Sequence, residues 1–266
     1  MTDTTASARR FEIGRVISGT FGVIGRNFGP FVLMSLLLGG LPNLLVSLAQ
    51  LPLQGGFTTY SPPLLGGWAA GLLVMVVCAF VLQAAIVHAT VADLTGRRVV
   101  VGESLKVGLR NWLPLVGLAI LIGLGLALGF ILLVVPGIIL AVVWSVAVPA
   151  KVVEKIGVTD ALQRSRDLTR GHRWAIFGLC VLYVIALWVV EALVMAAIMP
   201  FVFSKGIPSV GAVTGFTAVN VATMIGSALV ATITTLISTA GGATLYSELR
   251  STREGGGPEA MASVFD

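Results

Sequence analysis

The chain has 266 residues, 56% of them hydrophobic and only 11% charged, against about 25% charged in an ordinary soluble domain, so too few charges are present to coat a soluble globule. A mean hydropathy of +0.99 excludes disorder, which needs low hydrophobicity, and the 32 glycines follow no strict period, which excludes collagen. The expected class is an all-helical integral membrane protein, since a spanning helix takes about 20 apolar residues and the chain can supply six of them.

The opening stretch, MTDTTASARRFEIGRVISGTFG, has no continuous apolar core ending in a small-residue cleavage site, so no cleaved signal peptide is expected. Residues 1–10 read as a disordered N-terminus. Ile13, Val16, Ile17, Phe21, Ile24 and Phe28 then recur at three and four, with Arg10, Glu12, Arg15 and Arg26 off that stripe, which predicts an amphipathic helix in the membrane interface over 11–27. Six apolar stretches can be drawn, at 28–49, 66–92, 113–135, 137–153, 174–199 and 213–246. Pro136-Gly137 predicts a hairpin turn between the third and fourth. Pro149 should kink the fourth, which is barely long enough to span, and the over-long sixth should tilt or emerge. Two further surface helices are expected over 101–111 and 158–170, the latter with Thr159 as N-cap, and 250–266 reads as a disordered tail. Cys78 and Cys180 should lie at depths differing by more than about 10 Å, so no disulfide is expected.

Lys and Arg near helix ends stay on the cytoplasmic side. With both termini inside, 16 of the 17 cations fall on inner segments and only Lys205 on an outer one. Merging the third and fourth stretches would place six cations between Lys151 and Arg173 outside, so six spans fit and five do not. Tyr60 and Trp68 fall at the outer interface, and Trp112, Trp174 and Tyr246 at the inner one. The expected location is a bacterial inner membrane, multi-pass.

The units resemble one another. Val101-Gly-Glu-Ser-Leu-Lys106 matches Val158-Thr-Asp-Ala-Leu-Gln163, each leading to a tryptophan, and Arg26-Asn-Phe-Gly-Pro30 matches Arg110-Asn-Trp-Leu-Pro114. These matches predict one membrane domain over 11–249, built from three repeats of interfacial amphipathic helix plus helical hairpin. In addition, Pro136-Gly-Ile-Ile, Trp144, Val148-Pro-Ala150, Glu154, Gly157, Asp160-Ala-Leu162, Arg164-Ser165, Leu168, Gly171 and Trp174 form a pattern. It resembles the membrane domain attached to some bacterial glycerophosphoryl diester phosphodiesterases and their stand-alone YciC-like relatives. The resemblance implies a multi-helix inner-membrane protein and carries over no phosphodiesterase activity, which belongs to a separate soluble barrel.

Catalytic and metal centres need clustered His, Cys, Asp or Glu, and this chain has only two histidines and no Walker, G-x-S-x-G or H-E-x-x-H motif. His88 and Asp93, with Arg97, Arg98 and His172, could coordinate a phosphate or a lipid head group. Alternatively His88 bonds a neighbouring helix and Asp93 pairs with an arginine. No enzyme activity, metal or cofactor is expected, and no nucleic-acid partner. The leading expectation is a lipid-interacting or membrane-organising protein. Arg15, Arg26, Arg97, Arg98, Arg110, Arg164, Arg166, Arg170 and Arg173 would contact anionic lipid, and a second copy or another membrane protein could serve as partner. The alternative is a transporter or channel for a small or amphipathic solute. Its path would use Glu191 and the stripe Asn220, Thr223, Ser227, Thr234 and Ser238 on one face of the sixth stretch, although packing is the commoner use of Ser and Thr in membrane helices. Three G-x-x-x-G pairs, Gly67 to Gly71, Gly125 to Gly129 and Gly211 to Gly215, suggest close helix contacts.

Overall fold

The computed structural model describes residues 11–42, 62–203 and 218–254, and every regular element among them is helical. These are α1 (Ile13–Arg26), α2 (Phe28–Ser35) with a π-turn at Leu36–Gly40, α3 (Pro62–Leu94), α4 (Val101–Leu132), α5 (Val134–Val143), α6 (Ala147–Glu154), α7 (Val158–Thr169), α8 (Arg173–Phe203) and α9 (Ala218–Glu254). Four segments are long and apolar enough to cross a membrane: Ala69–Leu94, Val101–Leu132, Val134–Glu154 and Arg173–Val194. The bent pair of α1 with Phe28–Gly40 would make a fifth. Parts of the first and sixth expected stretches, with Tyr60, Lys205 and the pair Gly211 and Gly215, lie outside the described residues, as does the side chain of Trp68. Of the two expected disordered tails, only 250–254 is described, and it continues α9 as helix.

The first expected surface helix exists as α1, and the face it buries in protein shares only Val16 with the expected apolar stripe. Val16, Thr20 and Val23 are buried, spaced four and three, while Phe21 and Phe28 stand exposed. The reason is α9, against which α1 packs: the hydroxyls of Thr20 and Thr244 lie 2.7 Å apart. Between α1 and α2 the axis bends by 81°. At the bend Asn27 Nδ2 donates to Val23 O at 3.1 Å and to Asp93 Oδ1 at 2.7 Å, which ties the corner to α3.

The matched Asn111 makes the same backward bond, to Val107 O at 2.8 Å, yet no bend follows. Residues 101–111 are the first third of α4 and not a helix of their own. Two contacts hold that segment against α3. Ser104 is buried with its Oγ 3.3 Å from His88 Nδ1, and a Cβ on Gly108 would stand 2.4 Å from the Val81 carbonyl oxygen, an approach only glycine permits. Pro114 is accommodated inside the continuous helix.

Chain reversal between α4 and α5 occurs at Leu133, which is extended, three residues before the expected turn. Pro136 and Gly137 instead occupy the first turn of α5, where a missing N–H costs nothing because those donors have no intrahelical partner. The pair Gly125 and Gly129 serves this hairpin. A Cβ on Gly129 would come within 2.9 Å of Gly137 Cα, and one on Gly125 within 2.4 Å of the Trp144 ring.

The fourth stretch is interrupted at 144–146, and Pro149 sits in the first turn of the second piece, α6. The break frees the Val143 carbonyl, which a straight helix would pair with the amide of residue 147; here Ala147 N bonds Trp144 O instead. Ser165 of α7 donates to the freed oxygen at 2.7 Å and Thr169 Oγ1 approaches it at 3.5 Å. Ala161, Ser165, Leu168 and Thr169 form the buried face of α7, so the helix is seated on the break.

Burial is uneven along the long helices. In α3, residues 72–76 are exposed, whereas 81–92 are buried apart from half-buried Gln83 and His88. In α9 the buried run is Ala243 to Ser247 with Leu249. The core formed by these with Val16, Leu115, Val146, Ala150, Leu168 and Tyr246 lies at the end of the molecule that carries α1, α6 and α7. Helix α8 is nearly bare: 6% of its most apolar window is buried, leaving Val184, Ile185, Trp188 and Leu193 outward, as befits a helix in lipid. Cys78 and Cys180 are free thiols.

Candidate functional site

The arginines expected at lipid divide into two sets. Arg15 pairs with Glu248 at 2.7 Å and with Glu12 at 3.4 Å, and Arg26 pairs with Asp93 at 2.5 Å. Arg164 meets both oxygens of Glu154, at 2.9 and 3.0 Å, and also Glu254. Glu154 Oε1 further accepts from Tyr246 at 2.7 Å, and Glu254 Oε2 accepts from Arg250 at 2.7 Å, so one network joins α6, α7 and α9. Burial works against the Arg164 charge, but Glu254 and Glu154 outweigh it and hold the guanidinium charged more firmly than usual. Burial also pushes the Glu254 carboxyl up, and Arg250 and Arg164 overcome that, leaving it below its ordinary value. These arginines fasten helices together.

Arg98, Arg110, Arg166, Arg170 and Arg173 are exposed, and among the described residues none of them enters an ion pair. Arg97 is exposed as well. Three of the set converge. With Ala161, Ser165 and Leu168 turned inward, the opposite face of α7 carries Gln163, Arg166, Asp167 and Arg170, at offsets of three and four. The chain then turns through Gly171, whose φ of +92° lies in the left-handed region, and delivers Arg173 at the start of α8. Arg166, Arg170 and Arg173 border one hollow of about 760 Å³ together with Gln163 and Asp167, floored by Trp144 and Leu162. Three guanidinium groups and one carboxylate give this hollow a local charge of +2. Guanidinium forks match phosphate oxygens in pairs.

Arg173 also borders an apolar groove of about 450 Å³ between α5 and the start of α8. One wall is Val135, Ile138, Ile139 and Val142, a stripe at three and four that ends just before Trp144. The other is Phe177 with Trp174, whose ring is 86% exposed and stands edge-on to Phe177 at 6.1 Å. Sequence reasoning found the arginines, met Trp144 only in the family pattern and Gln163 only in the repeat, and missed the groove. The stripe on α5 was readable by its spacing, but in a helix apolar on every side a stripe does not stand out.

A family described as a domain of unknown function, DUF7847, matches residues 59–249, most of the chain. The chain belongs to this family. No curated protein and no solved structure matches it, and the comparisons lend no support to the resemblance to the phosphodiesterase membrane domain or the YciC-like proteins. The hollow and the groove both lie within the DUF7847 domain.

Other expected residues of the DUF7847 domain do not line the hollow or the groove. His88 bonds Ser104 of α4 and Asp93 is held by Arg26 and Asn27, each engaged by a neighbouring helix. The His172 ring meets Phe11 at 5.3 Å with the two planes tilted by 50°. Among the described residues no group of three or more His, Cys, Asp and Glu comes together. Glu191 is exposed on α8. The side chains of Asn220, Thr223 and Ser227 lie outside the described residues. The Thr234 carbonyl accepts from Tyr183 at 3.3 Å, and Ser238 borders a mainly apolar cavity of about 340 Å³ among α1, α8 and α9.

Proposed function

We propose that the protein is a multi-pass inner-membrane protein with six spans and both termini cytoplasmic, which interacts with anionic lipid and organises the membrane around it without acting as an enzyme. In this reading α1 and α7 lead into hairpins as surface helices, and the opening third of α4 takes the corresponding place in the second unit. The observation that carries the proposal is the convergence of Arg166, Arg170 and Arg173, free of ion pairs among the described residues, in one hollow. Cations that face the anionic leaflet of a membrane attract it by about 1 kcal/mol each. Arg15, Arg26 and Arg164 are occupied by carboxylates and contribute less in this reading.

Native mass spectrometry of the purified protein with phosphatidylglycerol tests it. Replacing Arg166, Arg170 and Arg173 together by Gln should abolish retention of the lipid, while Arg15→Gln should leave it in place; unchanged retention in the triple variant would refute the proposal. The exposed apolar face of α8 supports a second copy or another membrane protein as partner, which cross-linking in membranes would detect. The cavity bordered by Ser238 favours the second reading, passage of a small or amphipathic solute. Under that reading Ser238→Cys should react with water-soluble thiol reagents in sealed vesicles, and an inert thiol would sink it.

A further inference from the structure

We infer that the hollow and the groove form one site for one intact anionic phospholipid, with the phosphate among Arg166, Arg170 and Arg173 and one acyl chain lying between α5 and α8. The inference rests on the lipid reading above and adds what the bound molecule is: a whole lipid, held by its chain as well as its head.

Three observations carry it. First, Arg173 is common to both surfaces, so an anion in the hollow lies at the mouth of the groove. Second, the chemistry changes at that residue. The groove beyond it is walled by Val135, Ile138, Ile139, Val142, Trp174 and Phe177, whereas the hollow before it offers three guanidinium groups and an amide against the single carboxylate of Asp167. That change, from fixed positive charge to apolar wall, is the profile of a phospholipid from phosphate to chain. Third, Trp174 stands 86% exposed beside Arg173, an arrangement typical of the lipid–water boundary, where indole rings and arginines gather. The break at 144–146 places Trp144 on the hollow floor directly after the α5 stripe, so one helix end builds both halves. A free phosphate or a soluble polyanion would use the hollow and leave the groove idle.

The test separates head from chain. Ile139 lies in the groove wall and is 49% exposed, so Ile139→Trp fills the groove without entering the core. The full chain is titrated in native mass spectrometry with long-chain phosphatidylglycerol, with chain-free glycerophosphoglycerol and with inorganic phosphate. Ile139→Trp should weaken retention of the long-chain lipid at least tenfold and leave weak binding of the chain-free probes unchanged. The triple Arg-to-Gln variant should weaken all three. If the triple variant loses lipid while Ile139→Trp keeps it, the headgroup reading stands and the acyl-chain inference falls. If the triple variant retains lipid, the proposed function itself falls. Chain-free headgroup or phosphate binding as tightly as the lipid would identify a soluble anion as the ligand and overturn the inference. So would a change from dimer to monomer in Ile139→Trp with lipid retained, which would make the groove a contact between copies. On the unaltered protein, phosphatidylglycerol carrying a photoreactive group in its chain should label peptides that contain 135–142 or Phe177, and labelling confined to other helices would overturn the inference independently of any variant.

Discussion

Tyr246 donates a 2.7 Å hydrogen bond to Glu154 Oε1, fastening α9 to the C-terminus of α6 from a position where the tyrosine is fully buried. The same carboxylate holds Arg164, so it serves three helices at once. Removing the phenol oxygen leaves Glu154 with its arginine, and Tyr246→Phe should lower stability by about 1 kcal/mol. Glu154→Ala strands a buried hydroxyl and should cost about 2 kcal/mol, a larger loss. Unfolding of the two variants in detergent micelles gives the order; equal losses would deny Glu154 its role as the shared acceptor.

Acid should loosen the same end of the molecule. Burial raises the Glu254 carboxyl, but its bonds to Arg250 and Arg164 prevail, so it ionises below its ordinary value in the folded chain. A carboxylate depressed by folding contributes its full stabilisation above the unfolded value of about 4.3 and loses it as pH falls through the folded value. The thermal midpoint of the wild type should therefore exceed that of Glu254→Gln by a constant margin near neutrality. Below about pH 4.3 that margin should shrink. A margin that grows with acidity would contradict the pairing.

Two glycines six residues apart on α4 should respond differently. Gly129 faces Gly137 so closely that an added Cβ would lie 2.9 Å from its Cα, while a Cβ on Gly123 meets nothing within 4 Å. Gly129→Ala should destabilise by roughly 1–3 kcal/mol through overpacking. Gly123→Ala should be neutral or slightly stabilising, since alanine favours helix. Paired thermal midpoints decide, and equal behaviour would mean the hairpin can spread at no cost.

The seat of α7 depends on Ser165. Its hydroxyl satisfies the Val143 carbonyl that the break in the fourth stretch sets free, with Thr169 at 3.5 Å as the remaining donor. Ser165→Ala should cost about 1 kcal/mol, and Ser165→Ala with Thr169→Val more, because the carbonyl is then left buried without a partner. Hydrogen exchange across 158–169 should rise in step; no change there would show that the break is satisfied otherwise.

The helical class and the apolar segments were legible because periodicity and length are local properties. The Gly125 and Gly129 contact was legible too, although its partner, Gly137, was read as part of a turn. Pro136 misled because proline suits a turn and the first turn of a helix equally, and only the extended Leu133 decides between them. Arg15 and Glu248 are 233 residues apart, and nothing local distinguishes an arginine that will find such a partner from Arg166, which enters no ion pair among the described residues. Sequence therefore located the basic residues but could not sort fastening arginines from those left available. That α1 also buries Thr20 was not legible for the same reason, since its partner, Thr244, stands on the last helix.

The uneven burial along α3 means that one continuous helix lives in two solvents. Residues 81–92 are surrounded by protein and 72–76 by whatever surrounds the protein. For the first group a bilayer, a micelle and a nanodisc are nearly the same environment; for the second they are different substances. Moving the protein from membrane to detergent thus replaces the neighbours of 72–76 and leaves those of 81–92 in place.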